Sequence, residues 1–183
     1  MSMLKFVVRL VLPLFLIIAV VAAALGGINA ITEDKIAAAK EEKVQQAIAA
    51  VLPNSLGLQQ IPFSAEAHPL VKAVYTAEAC YAIEVAPSGF GGSISMMVGV
   101  DPDGKVLGVQ IISHTETAGL GAVAGASTAA GQAFRDSFKG LGYPVAVSKD
   151  GGEADTITGA TITSRAVADG VNAALQFVKE ALS

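Results

Sequence analysis

Hydrophobic positions change rhythm twice along the chain. From Leu10 to Ile28 the run LVLPLFLIIAVVAAALGGI holds no charged residue. At about 1.5 Å per residue such a helix spans roughly 28 Å, close to the hydrocarbon core of a bilayer. Residues 10–31 are therefore predicted to form a single transmembrane helix, preceded by a short N-terminus, 1–9. Ile36, Ala39, Lys40, Lys43, Val44, Ala47, Ile48 and Val51 then recur at helical spacing. Thr32 can cap that stretch, and Glu33 and Asp34 suit its first turn, so Thr32 to Leu52 is predicted as a separate amphipathic helix. Pro53 and Asn54 should stop it. Asn54 to Pro69, with Gly57, Pro62 and Pro69, reads as an irregular approach to the main domain, which makes 32–69 a helix-and-linker segment.

From Leu70 the pattern changes to short, β-rich runs. Val71 to Thr76, Cys80 to Ala86, Ser93 to Val100 and Val106 to Ser113 are predicted strands, the last two joined by the turn Asp101-Pro102-Asp103-Gly104. Ser127 to Phe138 follows as a helix, Tyr143 to Ser148 as a strand, and Ser164 to Leu182 as a closing helix with Val167, Val171, Ala174, Leu175 and Val178 on one face. Strands and helices are grouped rather than alternated, so 70–183 is expected to be one α+β domain, an antiparallel sheet flanked by helices. The small-residue stretch Gly119 to Gly131 reads as mobile or ligand-facing.

Composition narrows the function. With 183 residues and a net charge of -4, the chain has room for about one domain and offers nucleic acid no basic surface. One cysteine, Cys80, excludes an internal disulfide, an all-cysteine zinc site and an iron–sulfur cluster, and two histidines leave little for any metal. Cys80 lies in a strand-like apolar context and is expected to be a core thiol; His68 has no catalytic partner pattern. Lys5 and Arg9 precede the apolar run and Glu33 and Asp34 follow it, so the positive-inside rule puts the N-terminus in the cytoplasm and the domain outside, anchored by a single pass in the cytoplasmic membrane. A cleaved signal peptide ending near Ala22 to Ala24 is the competing reading. The length of the run and the lack of a polar region before the small residues count against it.

Three stretches can carry chemistry. Asp155-Thr156-Ile157-Thr158-Gly159-Ala160-Thr161, continued by Ile162-Thr163-Ser164 into a helix, gathers hydroxyls and free backbone N–H groups at a helix N-terminus. Thr158, Thr161, Thr163 and Ser164 can bond a phosphate or accept a covalent group, Gly159 lets backbone approach closely, and Ala160 keeps bulk away. An ordinary Ser/Thr-rich helix cap is the plain alternative. The loop His114 to Gly121, arriving off a strand, can set Glu116, Thr117, Gly119 and Leu120 beside a bound ring, or can simply connect strand to helix, with His114 bonding locally. The third, Ser88 to Ser93, is a Gly-rich turn that suits either a ligand or a hairpin, with Phe90 available to pack on a ring. No dinucleotide fingerprint, carboxylate pair or Ser/His/Asp set is present, so no catalytic residue is assigned.

The string Asp-x-x-Thr-Gly-Ala-Thr resembles the flavinylation motif of the FMN-binding domain shared by the G subunit of the Rnf electron transport complex and the C subunit of the Na+-translocating NADH:quinone reductase. The resemblance extends to Gly89-Phe90-Gly91-Gly92, Asp101 to Lys105, His114 to Gly121, and the anchor with a helix ending in Val51-Leu52-Pro53. Ala118 departs from the proline usual in the family. By resemblance, Thr161 would carry FMN through a phosphoester bond installed from FAD by a flavin transferase, with Asp155 opening the motif. The resemblance also implies an electron-carrying subunit, better suited to Rnf than to the quinone reductase because the chain is compact. Other subunits of the membrane complex would handle ferredoxin and NAD. A noncatalytic extracytoplasmic flavin- or phosphate-binding module is the remaining alternative.

Overall fold

The structure, a computed structural model, describes residues 3–52, 57–64 and 68–181. The chain divides into two compact units, Met1–Glu42 and Lys43–Ser183. The first is helical. Helix α1 runs Met3–Val51, beginning ahead of the predicted anchor and continuing past it. Among the described residues it is the one helix long and apolar enough to cross a membrane, and Leu12, Phe15, Ile17 and Val21 stand exposed along it. The predicted break at Thr32 is absent. Its hydroxyl donates to the Ile28 carbonyl at 2.6 Å, so it bonds back along the helix and caps nothing.

The second unit opens with the last turns of α1. Val44, Ala47, Ile48 and Val51 are buried at the spacing the sequence predicts, and they pack on Ala77, Ala82 and Met97. Pro53 and Asn54, expected to stop this helix, lie outside the described residues. The sheet is a five-stranded antiparallel meander in the order β1-β2-β3-β4-β5: β1 (Gln59–Gln60), β2 (Val71–Ala77), β3 (Cys80–Val85), β4 (Ser95–Val100) and β5 (Val106–Ser113). Gly99 and Gly108 face each other on β4 and β5 beneath the end of α1, and a Cβ at Gly99 would sit 2.5 Å from the Val51 carbonyl oxygen. Those two glycines let the helix lie close on that face. The other face carries the larger core, where Val74, Ile83, Met96 and Val98 meet Val167, Val171, Leu175 and Val178 of helix α3 (Thr161–Ala181). Helix α2 (Ala129–Asp136) adds Phe134, with Thr128 capping its N-terminus.

Two segments depart from the sequence expectation. The segment predicted as linker contains β1, whose Gln59 and Gln60 pair with Thr76 and Tyr75. Both glutamines are exposed on an edge strand, so no apolar alternation marks them. Tyr143 to Ser148, predicted as a strand, is not in the sheet. Val145 and Val147 are buried and Ala146 is exposed, which is why the segment alternates, but Val147 makes only an isolated bridge to Ala154 and Val145 pairs with a side chain. The Val145 N–H donates to Asn172 Oδ1 at 2.7 Å, and Asn172 Nδ2 donates to the Val145 carbonyl at 2.8 Å. An α3 asparagine thus takes the place of a strand partner at Val145, while the Ser148 N–H donates to the Ala154 carbonyl and the Ala154 N–H to the Ala146 carbonyl. The stretch Gly119 to Gly131 is also ordered into a 3-10 turn, Gly121–Gly125, and the start of α2; Arg135 Nη1 holds it by donating to the carbonyls of Ala124 and Ala126.

Candidate functional site

Helix α3 begins at Thr161, a turn before the predicted start, and the hydroxyl-rich stretch is built onto that first turn. Gly159 has φ +78, the left-handed region glycine enters freely, and the turn closes where the Ala160 N–H donates to the Ile157 carbonyl at 3.0 Å. The buried Ser164 hydroxyl clamps this turn: it accepts from the Ile157 N–H and donates to the Ala160 carbonyl, both at 3.0 Å. Thr163, also buried, donates to Glu116 Oε2. Thr156 bonds the Ser148 hydroxyl at 3.0 Å and accepts from the Lys149 N–H. Of the hydroxyls in the stretch, Thr161 is the half-buried one whose oxygen meets a cation, Lys149 Nζ, at 3.2 Å.

Glu116 is the hub of the surrounding loops. Its Oε1 accepts from the Gly91 N–H at 2.8 Å, while Oε2 takes the Thr163 hydroxyl, so one carboxylate ties the Ser88–Ser93 turn to the first turn of α3. Thr115 reinforces the tie by donating to the Gly91 carbonyl at 2.9 Å. Close approach is possible because the neighbours lack side chains. A Cβ at Gly89 would come within 2.4 Å of Glu116 Oε1, and one at Gly121 would lie 2.5 Å from both Oε2 and the Thr163 hydroxyl.

Between these elements lies a cleft of about 290 Å³, at the small end for a ligand site and suited to a ring lying partly in solvent. Glu116, Thr117, Leu120, Gly159, Ala160, Thr161 and Thr163 line it, as the sequence anticipates, together with Phe90 and Ile162. Phe90, Leu120 and Ile162 are exposed apolar groups around Thr161. Asp155, Thr158, Gly119 and Ser164 stand outside the lining. Asp155 is exposed, its N–H donating to the Ser137 hydroxyl at 2.9 Å, and Thr158 is exposed. Ser164 serves as the clamp just described. Gly159 has a stability role that crowding of a ligand does not capture, because a β-branched residue at φ +78 is strained whatever space surrounds it.

Lys149 was not predicted. It belongs to a 3-10 turn, Ser148–Asp150, just ahead of the hydroxyl-rich stretch but outside it. Arg165 fixes that turn, donating through Nε to Asp150 Oδ2 at 2.7 Å and through Nη2 to Oδ1 at 2.5 Å. The hydrogen bond from Arg165 holds the Asp150 carboxyl below its ordinary range. With Arg165 occupied by Asp150, the cation turned to Thr161 is Lys149. The remaining sequence candidates are structural. His114 Nδ1 accepts from the Glu116 N–H at 3.3 Å, and His68 pairs with Glu180 at 3.3 Å while its ring packs edge-on to Phe177. Cys80 is half-buried at the end of the β2–β3 turn rather than within the core; burial, then Asp101 and Glu78, push its thiol above the ordinary range and away from nucleophilic chemistry.

Comparison with known proteins agrees with this geometry. Residues 89–176, the stretch holding the whole cleft, match the FMN-binding domain family. The G subunit of an ion-translocating oxidoreductase complex of Pseudomonas aeruginosa is 34% identical over 196 residues, covering 92% of this chain and 86% of that protein. Its namesake from Aliivibrio fischeri is 44% identical over 103 residues, 52% of this chain and 47% of that one. The G subunit of a proton-translocating ferredoxin:NAD(+) oxidoreductase complex of Clostridium ljungdahlii is 41% identical over 98 residues, 54% and 52% of the two chains. These last two matches span about half the length of the relatives concerned. In fold, the chain is similar to the C subunit of the Na(+)-translocating NADH-quinone reductase of Parabacteroides distasonis, with a TM-score of 0.51 at 20% identity over 80% of this chain and 96% of that one.

Proposed function

The chain belongs to the family of G subunits of ion-translocating oxidoreductase complexes, and from that premise we propose that it is a membrane-anchored electron carrier whose FMN is esterified to Thr161. The supporting observation is the position of the Thr161 hydroxyl. It stands on the rim of the cleft, on the first turn of α3, where the amides of Thr161, Ile162 and Thr163 precede the first helical bond, Ser164 N–H to Ala160 carbonyl. Such a turn favours an anion, and the facing ammonium adds to it. The residues present fit the group: apolar Phe90, Leu120 and Ile162 flank the cleft for a ring, and the first-turn amides of α3 would meet the phosphoryl end.

FMN supplies reversible electron exchange when bound; the protein supplies the tether and the seat. Attachment requires an FAD donor and a flavin transferase. Thr161 Oγ bonds to the flavin-side phosphorus, the pyrophosphate bond breaks, AMP leaves, and the hydroxyl proton passes to a base of the transferase. A tether matters on the outer side of a membrane, where a dissociated flavin would be lost. Lys5 and Arg9 before the uncharged run of α1 support that sidedness, because the positive-inside rule favours a cytoplasmic N-terminus. Electrons would pass between the flavin and other subunits of a complex that couples ferredoxin:NAD oxidoreduction to ion movement. Glu116, with both oxygens engaged by protein donors, shapes the cleft.

Co-expression of Thr161→Ala with a flavin transferase tests the attachment. The variant should fold and lack flavin fluorescence on a denaturing gel, while the unmutated chain retains it. Fluorescence kept in the variant would move the ester to another hydroxyl of the stretch.

A further inference from the structure

Lys149 Nζ lies 3.2 Å from Thr161 Oγ1, and the turn that carries it is pinned from two directions. The bidentate Asp150–Arg165 pair joins it to α3, and Thr156 bonds both the Ser148 hydroxyl and the Lys149 backbone N–H. A long exposed side chain ordinarily samples many rotamers, so its value at a site depends on how firmly its backbone is set. Here Ser148 and Thr156 and the Arg165 guanidinium set it beside one particular hydroxyl.

We propose that Lys149 is the positioning cation of flavin attachment: it orients the Thr161 hydroxyl before transfer and neutralises the phosphodiester once the bond has formed. The inference rests on the Thr161 reading. A phosphoryl group built on Oγ places its non-bridging oxygens one bond beyond the atom Lys149 already touches, within reach of the ammonium, with the first-turn amides of α3 available to them as well. When Oγ attacks the flavin-side phosphorus and AMP departs, the added negative charge develops between those two sets of donors. Arg165 cannot substitute, because both its contacting nitrogens are engaged by Asp150. The role is positioning and electrostatic. Donors fixed in place before charge develops stabilise it without reorganising, and an exposed one is worth less than the roughly two to three orders of magnitude lost when a donor is removed from a closed site.

The test uses the full chain in detergent with a flavin transferase and FAD, reading the initial rate of flavin incorporation by denaturing-gel fluorescence. Thr161→Ala, Lys149→Met, Lys149→Arg and Lys139→Met are compared with the unmutated chain; Lys139, paired with Asp136 on α2, controls for general loss of positive charge. Lys149→Met should slow incorporation about 10-fold at unchanged melting temperature. Lys149→Arg should restore most of the rate, and Lys139→Met should have none of the effect. After prolonged loading, the phosphorus-31 resonance of the phosphodiester should differ between Lys149→Met and the unmutated chain, a change that a purely structural role would not produce. If the unmutated chain and Lys149→Met incorporate flavin equally fast while Thr161→Ala does not, the lysine inference is overturned and the threonine reading stands. If the unmutated chain takes up no flavin, both are overturned.

Discussion

Glu116 accepts from two donors, the Gly91 N–H through Oε1 and the Thr163 hydroxyl through Oε2. Both donors need an acceptor, and an amide has only one oxygen to offer them. In Glu116→Gln one of the pair, the Gly91 N–H or the Thr163 hydroxyl, would face an NH2 group in a buried position. The variant should lose about 1–3 kcal/mol of stability, seen as a lowered melting temperature together with poorer flavin loading. Lost loading at an unchanged melting temperature would instead put Glu116 on the ligand and dissolve its role as a brace. The same logic sorts the hydroxyls of the α3 stretch. Ser164, Thr163 and Thr156 bond within the protein and keep the turn in shape, and Thr158 is exposed outside the cleft, which leaves Thr161 facing the cleft and Lys149.

The β2–β3 hairpin turns on Glu78 and Ala79, both at positive φ, +48 and +69. A two-residue loop with both central residues left-handed favours Asn-Gly or Asp-Gly, and each ordinary residue held there is strained. Ala79→Gly relieves strain but frees the unfolded chain, for a net gain of about 0.5–1 kcal/mol, visible as a raised urea midpoint. No gain would mean the turn carries little strain. Strands β2 to β5 were legible as short runs rich in β-formers and bounded by turn residues, although both sheet faces are buried and β4 holds five consecutive buried residues; the buried stripe of α3 was legible from its spacing. Alternation misled at Tyr143 to Ser148, where Val147 makes only an isolated bridge to Ala154 and Asn172 takes the strand neighbour's place at Val145, a long-range pairing no local pattern carries. It was silent at Gln59 and Gln60, whose side chains bury nothing. The helix boundary at Thr32 failed because a threonine can bond back along a helix as readily as it caps one. At the site, the residues of two separate loops came together as their types suggested. Lys149 was missed because its relation to Thr161 depends on the Asp150–Arg165 pair, which the sequence spreads over two elements.

At the scale of the molecule, the two units divide the work. The first offers an exposed apolar helix for a membrane, while the second buries both faces of its sheet, one beneath the end of α1 and the other beneath α3. The proposed extracytoplasmic seat of the flavin predicts that a reporter fused after the C-terminus and competent only outside is active there; activity of a cytoplasmic reporter at the same junction would reverse the orientation. Attachment at Thr161, on which the rest depends, is open to direct measurement. Trypsin, cutting after Lys149 and Arg165, releases the peptide Asp150–Arg165, which contains Thr156, Thr158, Thr161, Thr163 and Ser164. Fragmentation of that peptide from protein matured with a flavin transferase should place an FMN phosphoryl group on Thr161 and leave the other hydroxyls unmodified. An unmodified peptide, with flavin released by the denaturant, would contradict the account.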